Sequence, residues 1–189
     1  MKYEFTGETK IEFGITLKRI RALVNIDIWG VAKGDIGGWV EDEKNLPQVY
    51  GNAWVYGNAQ VYGDAQVYGD AQVSGDAQVY GNARVYGNAR VYGDAQVYGD
   101  AQVYGDARVY GNAQVYGELL CASRSDGYLF ICCKRKEGPA VIIAGCRYFS
   151  FVEARAHWKT TRNGTKLGEE SMALIDHLER MAKIYGWAV

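Results

Sequence analysis

A six-residue repeat of the form V-Y-G-[N/D]-A-[Q/R/W] fills the middle of the chain and constrains its fold more than any other feature. Eleven copies run without insertion from Val49 to Gln114, and a twelfth begins at Val115. A period of six fits neither an α-helix nor a hairpin meander, because a meander needs longer strands and polar loops. The repeat predicts a solenoid in which each hexad is a short strand followed by a Gly-Asn or Gly-Asp corner.

The length of one coil sets the geometry of this solenoid. Three hexads close a triangular coil of eighteen residues, and successive coils pair as parallel strands. Eleven hexads therefore give about 3.7 coils, each rising roughly 4.8 Å. Because side chains alternate along a strand, Val and Ala are expected inside, while Tyr and the Gln or Arg face outward. The predicted fold is mainly β, a triangular parallel β-helix.

Side chains eighteen residues apart are expected to stack in columns on the outside of the coils. The tyrosine columns are Tyr50, Tyr68, Tyr86 and Tyr104; Tyr62, Tyr80, Tyr98 and Tyr116; and Tyr56 and Tyr92 with Ser74 between them. The amide and arginine columns are Trp54, Gln72, Arg90 and Arg108; Gln66, Arg84 and Gln102; and Gln60, Gln78, Gln96 and Gln114.

The corner positions vary only between Asn and Asp. One predicted column, Asn52, Asp70, Asn88 and Asp106, alternates the neutral and the charged side chain, which relieves repulsion between stacked carboxylates. Another column, Asn58, Asp76, Asp94 and Asn112, does not alternate. Charge relief therefore explains only part of the variation.

The segment before the repeat is expected to plug one end of the solenoid as an N-terminal β cap over residues 1–48. Strands are predicted in "KYEFT" and "ITLKRIRALVNI", followed by a glycine-rich turn, "KGDIGGWVEDEKNL". A cap is needed because a short solenoid otherwise exposes unpaired backbone and an open apolar cross-section. The repeat itself is assigned to residues 49–117.

Residues 118–189 lose the hexad period and are predicted to form a small C-terminal α+β module. "GYLFICC" and "PAVIIAG" flank "KRKEG" as a hairpin. "SFVE" is a capping box that opens a helix through about Thr160. A second helix is expected to begin near Glu169 and to end before Gly186, which is a typical C-cap.

The stretch "GDIGGWVEDEKNL" followed by "VYGNAWVYGNAQVYGDA" resembles the YdcK-type β-solenoid repeat family, which is common in bacteria and in phage and prophage genomes. The resemblance covers roughly residues 1–117. The later "SDGYLF", "AGCRYFSFVEARAHW" and "NGTKLGEES" resemble an uncharacterised tail of related proteins. The resemblance implies a left-handed β-helix akin to the hexapeptide-repeat acyltransferases, and an origin in a mobile element. Fold alone carries no function across.

Composition and charge argue against nucleic acid, membranes and metal ions as partners. The net charge of −1 gives no general field that would draw the chain to nucleic acid or to an anionic membrane. The N-terminal "MKYEFTGETK" lacks the apolar core of a signal peptide, and no stretch is apolar enough to span a membrane. The four cysteines, Cys121, Cys132, Cys133 and Cys146, lie in apolar runs without a C-x-x-C spacing. We predict a soluble cytoplasmic protein without structural metal or cofactor.

Acyl transfer from a coenzyme A thioester is the enzymatic alternative, and it depends on the fold resemblance alone. The coils contain neither a histidine nor an inserted loop. The two histidines, His157 and His177, fall on the predicted C-terminal helices, where pairing with Glu153, Asp176 or Glu179 explains them more simply than catalysis. We therefore predict no catalytic residue.

Arginine and tyrosine on the later coils favour a binding function. Both residue types dominate protein interfaces, because they combine a large contact area with directed hydrogen bonds. The predicted contact residues are Arg84, Arg90, Arg108, Tyr86, Tyr92, Tyr104 and Tyr110. The alternative is that outward tyrosines merely cover the strands.

A second basic patch is predicted in the C-terminal module from Arg124, Lys134, Arg135 and Lys136. These residues could contact phosphate, but charges at a hairpin tip are usually solvated, so nucleic acid is a disfavoured partner. The sequence thus predicts a non-catalytic interaction protein and a homo-oligomer. Its rigid surface is expected to bind a protein, and the mobile-element resemblance suggests a host protein and inhibition of a host defence system, an anti-CRISPR role being one form of it.

Overall fold

The structure is a computed structural model, and it describes residues 1–49, 51–117, 119–135, 138–145 and 147–189. Predictions that concern Tyr50, Lys136 and Cys146 lie outside these residues. The chain divides into two compact units, residues 1–114 and 115–189, and each is considered by itself.

The first unit opens with the two predicted strands, which form an antiparallel hairpin. Strand β1 (Tyr3–Glu12) and strand β2 (Ile15–Ala22) are joined by a two-residue turn, and β2 also pairs with β3 (Ile36–Val40). Short 3-10 helices at Asp27–Trp29 and Glu43–Asn45 complete the segment.

Strand β3 corrects one prediction, because the glycine-rich stretch is partly a strand rather than wholly a turn. β3 pairs in parallel with the repeat, with Trp39 opposite Gln60. Gly37 and Gly38 allow this close approach. A Cβ at Gly38 would lie 2.5 Å from Cγ1 of Val55, which leaves no room for a side chain.

The repeat forms a β-solenoid of about four turns, with one short strand in each hexad, as predicted. The strands are β4 (Trp54–Val55), β5 (Gln60–Val61), β6 (Gln66–Val67), β7 (Gln72–Val73), β8 (Gln78–Val79), β9 (Arg84–Val85), β10 (Arg90–Val91), β11 (Gln96–Tyr98), β12 (Gln102–Val103), β13 (Arg108–Val109) and β14 (Gln114–Tyr116).

These strands stack in parallel and form three sheets, which we call walls A, B and C; wall A also includes the strands β1, β2 and β3, of which β1 pairs antiparallel with β2 and β2 with β3. Wall A has the order β1-β2-β3-β5-β8-β11-β14, wall B the order β4-β7-β10-β13, and wall C the order β6-β9-β12. The register confirms the predicted interval of eighteen residues, since Gln72 pairs with Arg90, and Gln66 pairs with Arg84.

The interior of the solenoid is built from Val and Ala, as the alternation predicts. Every Val and Ala of the repeat from Ala53 to Ala113 is at most 3% exposed. Val49, which precedes the first repeat strand, is 80% exposed and is the exception. At the corners, glycine takes a left-handed conformation, with φ of 69° at Gly63, while the Asn or Asp that follows does not. Glycine with positive φ at the first central position is typical of a type II′ turn.

The second unit combines an antiparallel sheet with two helices, as predicted. The sheet has the order β15 (Leu119–Ser123), β16 (Leu129–Cys133), β17 (Val141–Ala144) and β18 (Arg147–Phe149). Helix α1 (Phe151–Arg162) begins with the predicted capping box, in which Ser150 and Glu153 bond reciprocally. Helix α2 (Lys166–Ile184) begins slightly earlier than predicted, because Thr165 is its N-cap.

The core of the second unit uses large side chains. Phe130 on β16, Trp158 on α1 and Leu178 on α2 belong to one buried cluster. Among the described residues, no helix has both the length and the apolar character needed to cross a membrane.

Candidate functional site

Wall C presents three parallel columns of outward side chains. Along each strand, a corner Asp or Asn, a Gln or Arg and a Tyr follow one another at alternate positions, so all three point away from the core. The corner column is Asp64, Asn82 and Asp100; the middle column is Gln66, Arg84 and Gln102; and the tyrosine column is Tyr68, Tyr86 and Tyr104. The corner and middle columns line a shallow groove of about 500 Å³.

The tyrosines of wall C stack face to face, as predicted. Ring centroids of Tyr68 and Tyr86 lie 5.0 Å apart with planes 1° from parallel, and those of Tyr86 and Tyr104 lie 5.5 Å apart. Because each ring covers its neighbour's face, ring edges and hydroxyl groups form the outer surface. The Tyr86 hydroxyl donates to Oε1 of Gln102 at 3.3 Å, which ties the tyrosine column to the middle column.

Hydrogen bonds between coils engage the acidic groups of wall C. Nδ2 of Asn82 donates to Oδ1 of Asp100 at 2.9 Å, and Nζ of Lys44 donates to Oδ1 of Asp64 at 2.8 Å. The bond from Lys44 lowers the pKa of Asp64. The sequence carries this signal, because an Asn eighteen residues before an Asp recurs at Asn52, Asn58 and Asn88, and each bonds in the same way.

Arg84 is a charged side chain of wall C that forms no ion pair with any described residue. Its side chain is exposed at the centre of the middle column, between Gln66 and Gln102. Over the described part of the chain, no carboxylate forms an ion pair with it. A guanidinium in this position can offer paired hydrogen bonds to an incoming carboxylate or carbonyl group.

Wall A is partly covered by the β1–β2 hairpin. Leu17 and Trp39 pack on Tyr62, which is only 8% exposed, and Ile15 also joins this cluster with Tyr80. Burial raises the pKa of Tyr62 to about 12. The tyrosine column of wall A, from Tyr62 to Tyr80 and on to Tyr98, stacks as predicted but supports the cap at its first coils.

Wall B is covered in another way, by the 3-10 helix at Asp27–Trp29. The Trp29 ring lies 4.9 Å from the guanidinium carbon of Arg90, and the Tyr56 hydroxyl donates to the Trp29 carbonyl at 2.7 Å. Farther along the wall, Arg108 is exposed and Tyr92 stacks on Tyr110 at 4.9 Å. Arg90 therefore has a cation–π contact, whereas no aromatic ring among the residues that the structure describes makes such a contact with Arg84.

The predicted contact residues do not form one surface. Arg84, Tyr86 and Tyr104 lie together on wall C. The other four lie on wall B: Arg90, Arg108, Tyr92 and Tyr110. The sequence columns implied this division, but the covering of walls A and B by distant N-terminal residues has no local signal in the sequence.

The second basic patch needs a correction at Arg124. Its side chain is 2% exposed, pairs with Asp126 at 2.7 Å and donates to Oγ of Ser171 at 2.9 Å. The guanidinium also lies 5.3 Å from the Trp158 ring, so Arg124 stabilises the interior instead of belonging to a surface patch. Lys134 and Arg135 are exposed, as the patch requires.

The two histidines differ from their predicted surroundings. Glu153 bonds to Ser150, and both Asp176 and Glu179 pair with Arg155, so these carboxylates are engaged elsewhere. His157 instead stacks on Phe149 and lies 3.2 Å from Nη1 of Arg147. Burial and the charge of Arg147 lower the pKa of His157.

Comparison with known families supports the identification of the repeat. Six stretches match the YdcK β-solenoid repeat family, at residues 48–63, 59–75, 65–81, 77–93, 83–99 and 101–117. All six lie in the part of the chain that forms the solenoid. No curated protein matches the chain.

Proposed function

We propose that the chain is a non-catalytic binding protein that docks a protein partner on wall C of its solenoid. The observation that carries the proposal is the contrast between the walls. The N-terminal segment packs on Tyr62 of wall A and on Arg90 of wall B. Arg84 instead lies at the centre of an open groove on wall C and forms no ion pair with any described residue, whereas the exposed Arg108 of wall B lies on the last strand of its wall. An uncommitted arginine among aromatic residues is a typical energetic centre of a protein interface.

The chemistry of wall C defines the kind of surface that the partner must offer. Arg84 favours a carboxylate on the partner, while the amides of Gln66 and Gln102 and the tyrosine hydroxyls bond to backbone or polar side chains. The stacked rings make the wall rigid, so little conformational entropy is lost on docking. A partner with an acidic residue inside a polar, flat patch fits these features.

The proposal includes finer features taken from the family resemblance. The solenoid is left-handed, and the eleven hexads give it about 3.7 coils of eighteen residues. The gene belongs to a phage or another mobile element, the partner is a host protein, and docking inhibits a host defence system, as an anti-CRISPR protein does. The protein is cytoplasmic in this proposal, because cysteines inside apolar runs, such as Cys121 and Cys132, fit a reducing compartment. Self-association through a coil wall or the C-terminal module is a further part of the proposal.

A matched pair of variants tests the docking wall. Arg84→Gln keeps the stack intact, because Gln66 and Gln102 already occupy the same column. Arg108→Gln makes the same change on wall B and serves as the control. We expect Arg84→Gln to weaken the affinity for the captured partner by about thirtyfold, while Arg108→Gln leaves it within about twofold.

The partner is first captured from a lysate of the host cell and identified by mass spectrometry, and affinities are then measured with the purified pair. Equal affinity for the two variants would exclude wall C as the docking surface. The competing acyltransferase function is tested by incubating the chain with acetyl-coenzyme A, amines and sugars. Turnover that is lost in His157→Ala or His177→Ala would overturn the non-catalytic proposal.

A further inference from the structure

Strand β1 ends its sheet and leaves one of its long edges without a partner strand. Wall A begins with β1, which pairs with β2 and with no other strand among the described residues. An unpaired strand edge presents backbone N–H and C=O groups that can pair with another chain. The edge is therefore a candidate surface for association.

The turn between β1 and β2 fixes which backbone groups point outward. Phe13 and Gly14 both have positive φ, of 49° and 79°, as a two-residue type I′ hairpin requires. In such a hairpin the flanking pair, Glu12 and Ile15, is hydrogen-bonded, and so is the pair of Lys10 and Leu17. The backbone groups of the alternate residues, Thr9 and Ile11, consequently face the free edge.

The tip of this hairpin also exposes apolar side chains. Ile11 is 74% exposed and Phe13 is 82% exposed. The opposite face of the hairpin is occupied, because Nζ of Lys10 lies 4.8 Å from the Trp39 ring and Leu17 packs on Tyr62. An aromatic residue that lies in a left-handed turn and is almost wholly exposed to solvent does not stabilise its own chain by burial.

We propose that this edge pairs with the same edge of a second copy of the chain, antiparallel and centred on Ile11. In that register the two Ile11 residues lie opposite each other and exchange two backbone hydrogen bonds. Each Lys10 then faces Glu12 of the second copy, and each Thr9 faces Phe13 of the second copy. The two-fold symmetric pairing thus forms two Lys10–Glu12 contacts and covers Ile11 and Phe13 of both copies.

The regular pairing is confined to the segment Thr9–Glu12, because β1 ends at Glu12 and Phe13 lies in the turn. The register of β1 against β2 shifts between Phe5 and Thr9, where Gly7 has a φ of 90°, and a bulge of this kind ends regular pairing. Beyond the bulge, Glu4 is engaged by Arg21. An interface this small belongs to the weak, reversible class.

Dimerisation would bring two docking walls into one assembly, so a partner with two sites would bind with avidity. That consequence depends on the proposed function, but the dimer itself does not. Loss of partner capture by Arg84→Gln and loss of dimer by an edge variant are separate measurements, so either proposal can fail alone.

Sedimentation of the full chain tests the register, over concentrations up to about 0.5 mM because the interface is weak. We expect a monomer–dimer equilibrium in the natural chain and a monomer in Ile11→Lys, which places like charges on the two-fold axis. Thr16→Lys is the matched control, because Thr16 is the partner of Ile11 on β2 and lies away from the edge. Circular dichroism verifies that both variants are folded.

Charge exchange distinguishes this register from other modes of association. Lys10→Glu and Glu12→Lys should each weaken dimerisation by about tenfold, because each puts like charges opposite one another twice. The double variant should restore the natural dissociation constant. A monomeric natural chain at every concentration, a dimer unaffected by Ile11→Lys, or a double variant as weak as the single ones would overturn the proposal.

Covalent trapping gives an independent readout. Opposed residues of a hydrogen-bonded pair have Cα atoms about 5.5 Å apart, which a disulfide can span. With Cys121 and Cys146 replaced by Ser, mild oxidation should cross-link Ile11→Cys into a dimer and leave Thr16→Cys monomeric. Equal cross-linking of the two variants would contradict pairing at Ile11.

Discussion

The repeat region and the C-terminal module build stable interiors by opposite means. In the repeat, Val and Ala fill the interior of the coils, and each of these side chains meets an equivalent residue one coil away. In the module, large residues such as Phe130, Trp158 and Leu178 pack in a cluster that no period describes. The repeat gains its stability from many equal contacts, whereas the module depends on a few unequal ones.

Polar contacts also recur in the repeat and are individual in the module. In the repeat, Asn82 donates to Asp100, eighteen residues on, and the same bond recurs at other corners. In the module, the buried cation Arg124 pairs with Asp126 and donates a hydrogen bond to Ser171 on α2. Loss of one repeat contact leaves its copies in place, but loss of Arg124 leaves several groups unpaired at once.

The sharpest test of this difference is Arg124→Ala. The variant removes a charge that is bonded on several sides and opens a gap beside Trp158, so we expect the module to lose about 3 kcal/mol of unfolding free energy. Lys134→Ala, from the same basic cluster of the sequence but exposed, should change it by less than about 0.5 kcal/mol. Urea denaturation followed by tryptophan fluorescence measures both. Similar losses in the two variants would show that Arg124 has no special role.

Acid titration gives the Arg124 experiment a second readout. The bond from Arg124 lowers the pKa of Asp126 from 3.8 to about 2. A carboxyl group whose pKa is lowered by folding stabilises the fold above its ordinary pKa, and this contribution disappears as pH falls through the lowered value. The difference in stability between the natural chain and Arg124→Ala should therefore be full at pH 5 and shrink between about pH 4 and pH 2.

How much could be predicted from sequence differs between the two regions for a physical reason. The hexad period determines the solenoid, because side chains alternate along each strand and each coil has eighteen residues. Each Val must therefore point into the interior, and each Tyr must point outward. The prediction fails at Val49, which has no coil beneath it, and at Gly37 and Gly38, where β3 needs a close backbone approach that resembles a turn in sequence.

The candidate site was predictable only in part. The columns follow from the period, and they separate Arg84 from Arg90 and Arg108. Which wall stays open depends on where Trp29 and the β1–β2 hairpin pack, and these contacts join residues far apart in sequence. Arg124 shows the same limit, because Ser171, which accepts its hydrogen bond, lies forty-seven positions later.

A smaller effect tests whether stacking itself, and not only turn geometry, requires glycine at the corners. Gly87 and Gly105 share the left-handed conformation, with φ of 69° and 63°. A Cβ on Gly87 would lie 3.0 Å from the backbone nitrogen of Gly105, whereas a Cβ on Gly105 would meet nothing within 4 Å. Gly87→Ala should cost about 2 kcal/mol, and Gly105→Ala about 1 kcal/mol, the backbone term alone.

Thermal and urea unfolding of the two alanine variants give the comparison, and the difference between them measures crowding between coils. Equal losses of unfolding free energy would mean that neighbouring coils shift to accommodate the added methyl group without further loss of stability. In that case the contrast with the tightly packed module would lose its basis.

The smallest effect concerns the choice between Asn and Asp. Asn82→Asp removes the donor to Asp100 and puts three carboxylates in one column, so we expect a loss of about 1 kcal/mol at neutral pH and low salt. High salt should reduce the loss, because exposed charges are screened. Asp94→Asn is the reciprocal change, since Asp94 stands one coil from Asp76, and it should stabilise the solenoid by about 0.5 kcal/mol. If both variants match the natural chain in urea unfolding at low salt, the corner hydrogen bonds and the spacing of the corner charges contribute nothing to the stability of the repeat.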